Sequence, residues 1–159
     1  QHVSLYVKLQ NMRYDDCVTF VIDVPEELYE YTIPKLTFQP IVENAFLHGI
    51  MTTEEKKGSI LLTGWRSGDD IEFIISDDGA GIPPEKLDTL MYDVDHTDTD
   101  SGVKQPAIPG HIGIYNTNLR LKSLYGESYG LFFTSTLGKG TEVTFKIPAR
   151  HITDSLERM

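Results

Sequence analysis

Two hairpin signals constrain the fold of this chain more than any other feature. Strand-like runs at residues 58–66 and 70–76 are separated only by Ser67-Gly68-Asp69, and the runs at residues 131–136 and 142–147 flank a short turn with two glycines. Short glycine turns between strand-like runs are typical of β-hairpins. The sequence therefore predicts a sheet that is largely antiparallel.

The other segments supply one more strand and the helices. In residues 18–24 apolar residues recur at every second position until Pro25, which indicates a strand. Residues 35–48 and 112–124 are predicted helices that end at Gly49 and Gly126, with Pro40 bending or separating the first turn of the former. This order of elements favours an α/β two-layer sandwich of the α+β kind, in which helices cover one face of a mixed sheet.

The 159 residues suit a single domain. Residues 1–14 carry Leu5, Leu9 and Met12 at helical spacing and are predicted to end an upstream helical segment. Residues 15–148 form the predicted domain, and residues 149–159 a C-terminal tail. Within the domain, residues 83–109 are polar and hold four prolines, which indicates a mobile loop with one short helix at residues 85–90. Because the chain begins with Gln1, we expect it to be a fragment of a longer protein.

Charge and cysteine content exclude several classes of function. The 24 acidic and 14 basic residues give a formal charge of −10, which repels nucleic acid and anionic membranes. Cys17 is the only cysteine, so no internal disulfide is possible and no Cys/His zinc spacing exists, and a cytosolic setting fits best. An anionic ligand would need a metal ion, backbone N–H groups or a few local cations.

The predicted helix at residues 35–48 carries the first candidate site. Its apolar positions fall on one face, while Asn44 and His48 lie together at one border of that face and Glu43 lies at the other. A carboxylate and an amide oxygen suit Mg²⁺, which prefers oxygen ligands. The alternative is an ordinary solvated helix border.

Three glycine-containing segments provide further candidates. Asp77-Asp78-Gly79-Ala80-Gly81 follows an apolar strand, so its backbone could approach a ligand closely, although a plain acidic turn would look similar. Residues 110–113 precede a helix, where N–H groups bind anions, or where glycine serves packing alone. Residues 137–141 lack the spacing of a P-loop and also suit a simple hairpin turn.

Together these segments resemble the ATP-binding domain shared by histidine kinases, gyrase, the Hsp90 chaperones and MutL, the Bergerat-type fold. Residues 34–49 are similar to the N box of the LytS/YesM-type sensor kinases, with Gln39-Pro40, Glu43-Asn44 and His48-Gly49 in place. Residues 77–81 resemble the DxGxG box, residues 112–116 with Arg120-Leu121 the second glycine box, and residues 138–141 the GxGT box.

The resemblance implies ATP and Mg²⁺ as cofactors and assigns roles to individual residues. Asn44 would coordinate Mg²⁺ while Glu43 positions water or metal, and both would be catalytic. Asp77 would take the adenine amino group with support from Thr141, and residues 83–109 would form the ATP lid. The remaining implied nucleotide contacts are His48, Gly79, Gly81, Ile82, Gly110, Ile112, Gly113 and Asn116.

The implied function is transfer of the ATP γ-phosphate to a histidine upstream of this fragment. Implied partners are the dimerisation and phosphoacceptor helices of the same protein, which would be a homodimer in the membrane with this domain in the cytoplasm, and a response regulator. Two alternatives stay open, a nucleotide-gated protein-binding module and an anti-sigma-type serine kinase. Leu47 in place of a common lysine favours the binding module, and His111 and Asp78 also depart from the family pattern.

Overall fold

The computed structural model describes residues 18–31, 37–55, 57–95 and 112–149. Five strands and three α-helices make up this part of the chain. In chain order they are β1 (Val18–Asp23), α1 (Phe38–Asn44), β2 (Gly58–Ser67), β3 (Asp70–Asp77), α2 (Pro84–Asp95), α3 (Ile112–Tyr125), β4 (Phe132–Thr136) and β5 (Gly140–Pro148). Short helical turns follow β1, α1 and α3, at Glu26–Glu30, at Ala45–Gly49 and Ile50–Thr52, and at Glu127–Tyr129.

The strands form one mixed sheet in the order β1-β2-β3-β5-β4. Strand β1 pairs with β2 in parallel, and the other three pairs are antiparallel. Both predicted hairpins are confirmed, and Gly68 has a φ of 61° in the first turn, a conformation that glycine adopts without strain.

One face of the sheet carries the core. In β3, Ile71, Phe73 and Ile75 are buried in alternation with partly exposed neighbours. The ring of Phe38 on α1 meets Phe73 edge-on with centroids 5.0 Å apart, and it lies 5.7 Å from Phe145 of β5. On the opposite face Leu61 and Trp65 are exposed. The predicted two-layer arrangement, with helices on one face of the sheet, is confirmed.

A buried polar cluster joins α2, α3 and the residue that precedes β4. Asn118 of α3 is 0% exposed, and its Nδ2 donates to the Val94 carbonyl at 3.0 Å while its Oδ1 accepts from Leu131 N at 2.8 Å. Lys122, one turn later, donates to the same carbonyl at 3.5 Å. Because buried polar groups are costly when unpaired, this cluster holds the C-terminal end of α2 in one position.

The helix bounds differ from the sequence prediction in two places. Pro40 does not separate a turn, because α1 begins at Phe38 and Pro40 therefore lies in its first turn, where the missing N–H costs nothing. The predicted helix at residues 85–90 is longer and covers Pro84–Asp95. Residues 1–14, residues 96–109 of the predicted lid and residues 150–159 lie outside the described part of the chain. Within the described part, no helix has the length and apolar character to span a membrane.

Candidate functional site

A cavity of about 390 Å³ opens where α1, α2 and the ends of β3 and β5 meet. Its volume lies in the usual range for small-molecule sites. The lining residues are Asn44, His48, Gly49, Thr52, Asp77, Gly81, Ile82, Pro83, Lys86, Leu90 and Thr141. Five of the predicted nucleotide contacts besides Asn44 are therefore brought together here: His48, Asp77, Gly81, Ile82 and Thr141.

A π-helical turn at Ala45–Gly49 continues α1 into the cavity. The wider turn is a feature often found at functional sites. It brings Gly49 against the carboxylate of Asp77, where an added Cβ would lie only 2.6 Å from Oδ1. A Cβ on Gly79 would in turn collide with the Gly49 backbone, and Ala80 N donates to the Gly49 carbonyl at 3.1 Å. Glycine is therefore required at both positions for the two segments to touch.

Asp77 ends β3 with its side chain only 8% exposed. Gly79 N donates to its Oδ1 at 2.9 Å, and the backbone N–H of Thr141 donates to the same carboxylate. Burial raises the pKa of Asp77 to about 6, the two hydrogen bonds oppose that rise, and the charge of Asp78 adds to it. The site therefore presents a partly desolvated hydrogen-bond acceptor to the cavity.

Asp78 turns away from the cavity. Its Oδ1 accepts a hydrogen bond from Ser59 N at 2.8 Å, and Asp78 N donates to the Ser59 carbonyl at 3.3 Å. The side chain is exposed and does not line the cavity. Its structural contribution is to hold the start of the glycine loop against β2, and it acts on the site only through its charge.

Asn44 provides the observation that bears on a metal ion. Its Oδ1 is buried and has no hydrogen-bond partner, the only buried side-chain atom of this kind among the described residues. An unpaired amide oxygen on a residue that lines a cavity fits a hard cation. The described ranges hold no group of three or more His, Cys, Asp or Glu that could bind a metal unaided. A Mg²⁺ ion held here would therefore take its other ligands from phosphate oxygens and water.

Four other predicted residues, Glu43, Gly79, Gly113 and Asn116, do not belong to the cavity lining. Glu43 is partly buried and accepts a hydrogen bond from Gln39 Nε2 at 3.0 Å. Asn116 is exposed on α3, and a Cβ on Gly113 would meet Pro40 at 3.3 Å. Gly110 and His111 lie outside the described residues, and Ile112 begins α3. The predicted phosphate contacts at residues 110–113 stay a prediction.

Lys86 falls within the predicted lid, residues 83–109, but the sequence analysis did not assign it an individual role in the site. Lys86 and Leu90 are spaced i, i+4 on α2, and this spacing points both at the cavity. Leu47, where the resemblance described above leads us to expect a lysine, is 54% exposed and is not part of the lining. Among the described residues the positive charge at the cavity therefore comes from α2. The i, i+4 pair within the predicted helix was the signal for it.

The β4–β5 turn packs against the segment at Asp77–Gly81, part of which lines the cavity. Gly138 and Gly140 have φ values of 82° and 129°, and a Cβ on Gly140 would collide with the Asp77 carbonyl. Gly138 N donates to the Ala80 carbonyl at 2.7 Å. This turn, the segment resembling a GxGT box, is thus bound directly to the segment resembling a DxGxG box.

Comparison with known proteins agrees with this geometry. The family model described as "Histidine kinase-, DNA gyrase B-, and HSP90-like ATPase" matches residues 32–151. Sensor histidine kinase YpdA of Escherichia coli is 32% identical over 90% of this chain. Sensor protein LytS of Oceanobacillus iheyensis is 29% identical over 95% of it. The chain spans only 22% and 24% of the length of these two relatives.

Solved structures show the same fold at low identity. The catalytic domain of histidine kinase ThkA, in a nucleotide-free form, has a TM-score of 0.62 at 12% identity, covering 95% of this chain and 96% of that one. The histidine kinase domain of a blue-light activated kinase from Erythrobacter litoralis has a TM-score of 0.57 at 18% identity, covering 92% of this chain and 58% of that one. The chain belongs to the family of histidine kinase-, DNA gyrase B- and HSP90-like ATPases, as a catalytic ATPase domain of the sensor histidine kinase kind.

Proposed function

We propose that this domain binds ATP with Mg²⁺ and transfers the γ-phosphate to a histidine upstream of it in the parent protein. The observation that carries the proposal is that Asp77 and Asn44 face one cavity. The first offers a buried acceptor for a ring amino group, and the second an unpaired oxygen for a cation. Phosphoryl transfer needs mainly positioning and charge neutralisation, which these groups suit.

At the base end, Asp77 would accept a hydrogen bond from the adenine amino group. The N–H groups of Gly79 and Thr141 keep the carboxylate in place, so it needs no rearrangement to bind. Gly81 has a φ of 74° and lines the cavity, which lets its backbone lie close to a ring. The base end therefore suits a planar ring that bears an exocyclic amino group.

At the phosphate end, Asn44 Oδ1 would be the protein ligand of Mg²⁺, and Lys86 would face the phosphates from α2. Bound magnesium would neutralise part of the phosphate charge. His48 lines the same cavity one turn after Asn44 and is placed to contact the nucleotide. We further propose that Glu43, which Gln39 orients, positions water or metal, and that residues 110–113 contribute N–H groups to the phosphates.

The acceptor and the partners belong to the parent protein. The sensor kinases to which this chain is similar are about four times its length, which supports further domains around it. We propose that dimerisation helices upstream carry the phosphorylated histidine, and that a response regulator receives the phosphate. In this arrangement the parent is a homodimeric membrane protein, and the present domain faces the cytoplasm.

The test is an Asn44→Ala variant titrated with ATP in the presence of Mg²⁺ and of a chelator. We expect the wild-type protein to bind ATP more tightly with Mg²⁺ and the variant to lose that difference. Its thermal stability should hold, since Asn44 Oδ1 makes no hydrogen bond that the substitution would break. A variant that keeps the full Mg²⁺ effect would contradict the metal role.

One observation favours a nucleotide-gated binding module instead. Lys86 is the one lysine or arginine lining the cavity in the described ranges, which is little positive charge for a triphosphate. Incubating the parent's helical segment with this domain and labelled ATP separates the two functions. Acid-labile, base-stable phosphate on the helical segment supports the histidine kinase. Tight ATP binding without labelling supports the module, and acid-stable phosphate supports a serine kinase.

A further inference from the structure

Ser135 of β4 lies behind the cavity and connects three segments of the site. Its Oγ accepts a hydrogen bond from Ile82 N at 2.8 Å, and it donates to the Gly140 carbonyl at 2.8 Å. The same Oγ lies 2.8 Å from Oγ1 of Thr141. Ser135 is half-buried; it does not line the 390 Å³ cavity, but it lines a neighbouring cavity of about 300 Å³ together with Asp77 and Thr141.

The hydrogen atoms in this group can be counted. A serine hydroxyl has one proton to donate and two lone pairs that accept. The Gly140 carbonyl can only accept, so the Ser135 proton goes to it, and Ile82 N occupies one lone pair. The contact with Thr141 must therefore be a hydrogen bond that Thr141 donates. Ser135 then has its full complement of three partners.

This assignment fixes the direction of the Thr141 hydroxyl. With its proton turned toward Ser135, the Thr141 hydroxyl can offer only the lone pairs of Oγ1 to a further partner, including a ligand in the cavity that Thr141 lines. Thr141 is also directly opposite Asp77 across the β3–β5 pair, so both side chains lie on the same face of the sheet. The cavity thus presents two acceptors side by side and no hydroxyl donor from Thr141.

We propose that Ser135 determines base specificity by holding the Thr141 hydroxyl as an acceptor, so that the site selects a ring with an amino group over one with a carbonyl oxygen. This rests on the proposed function, since it concerns the base end of the same ATP site. Ser135 is a positioning residue, because it acts through Thr141 and does not line the cavity proposed for the nucleotide. A freed Thr141 hydroxyl could rotate and donate to a ring carbonyl.

The probes are ATP and ITP, which differ at the ring position that carries an amino group in one and a carbonyl in the other. Removing the constraint with Ser135→Ala should reduce the ATP-over-ITP preference about five- to tenfold, the effect of one hydrogen bond, chiefly through tighter ITP binding. Ser135→Thr keeps the hydroxyl and should keep the preference. Thr134→Ala, one position earlier and exposed, is the matched control.

A double-mutant cycle keeps the test decisive even where Ser135→Ala lowers stability. In a Thr141→Val background, which has no hydroxyl to orient, Ser135→Ala should leave the ATP/ITP ratio unchanged. An equal loss of ATP and ITP binding in Ser135→Ala, or the same ratio change in both backgrounds, overturns the proposal. If Ser135→Ala does not fold, the other two variants carry the test. The proposal is supported if Thr141→Val loses the preference for ATP over ITP and Ser135→Thr retains it. The proposal is overturned if Thr141→Val retains that preference or Ser135→Thr loses it. Failure of the wild-type protein to bind either nucleotide would instead refute the proposed function.

Discussion

Asp77 is the residue at which nucleotide binding and folding stability should respond to pH in opposite directions. Its pKa of about 6, against an ordinary value of 3.8 for an aspartate, means that at pH 5 only about one tenth of the folded protein carries the ionised carboxylate. Only the ionised carboxylate can accept hydrogen bonds on both of its oxygens, including one from an amino group. We therefore expect the affinity of the wild-type protein for ATP to fall about tenfold between pH 7.5 and pH 5.

Folding stability should change the other way. Because burial raises the pKa of Asp77, the folded protein binds a proton that the unfolded chain has already lost between about pH 4 and pH 6. The free energy of unfolding therefore falls as pH rises through this window, by up to about 3 kcal/mol for the whole shift. Between pH 5 and pH 8 the remaining part of this loss is about 1.4 kcal/mol.

Asp77→Asn isolates both effects because asparagine does not titrate. The variant should bind ATP about 10- to 150-fold more weakly than wild type at pH 7.5, the cost of a charged hydrogen bond of about 1.5–3 kcal/mol. Its unfolding free energy relative to wild type should rise by about 1.4 kcal/mol from pH 5 to pH 8. Calorimetric titration and urea unfolding at both pH values measure the two quantities. The same pH slope in both proteins, in either assay, would refute the assignment to Asp77.

Three further changes test other parts of the site and its support. Lys86→Gln should weaken ATP binding about two- to fivefold in a titration and leave adenosine binding unchanged, whereas Lys139→Gln, at the exposed hairpin tip, should change neither. Gly79→Ala should lower the unfolding free energy by about 1–3 kcal/mol in urea, because the added Cβ meets the Gly49 backbone. Asn118→Leu should lower the unfolding free energy by about 1–3 kcal/mol for each backbone group that it leaves unpaired. A decrease under about 0.5 kcal/mol would show that the buried cluster adds nothing to stability.

Features that depend on residues close together in the chain could be predicted from the sequence. The two hairpins follow from short glycine turns, and Asn44 was placed at the border of a helix by the 3.6-residue period alone. The π-helical turn at Ala45–Gly49 was not predicted, because no local pattern distinguishes it from an α-helix. It coincides with the contact of Gly49 on Asp77, which is a tertiary feature.

Ser135 shows why part of the site could not be predicted. A serine in a strand carries no sequence signal that distinguishes it from any other polar residue there. The hydrogen-bond partner of Ser135, Ile82, lies 53 residues away in the chain. The sequence analysis noted Asp78 only as a departure from the family pattern. Its charge does raise the pKa of Asp77, yet its carboxylate contacts β2, a direction that depends on the pairing of β2 with β3.

The parallel pairing of β1 with β2 implies an order of events during folding. The β2–β3 and β4–β5 hairpins close over short turns, whereas β1 must find a partner 40 residues along the chain, with Val18 opposite Gly58. Closing the longer loop costs more entropy, so we expect the hairpins to form first and β1 to dock last. Asn44 lies in the segment that this docking encloses, while Asp77 belongs to a hairpin. The capacity to bind nucleotide should therefore appear later in refolding than the circular dichroism signal of the sheet.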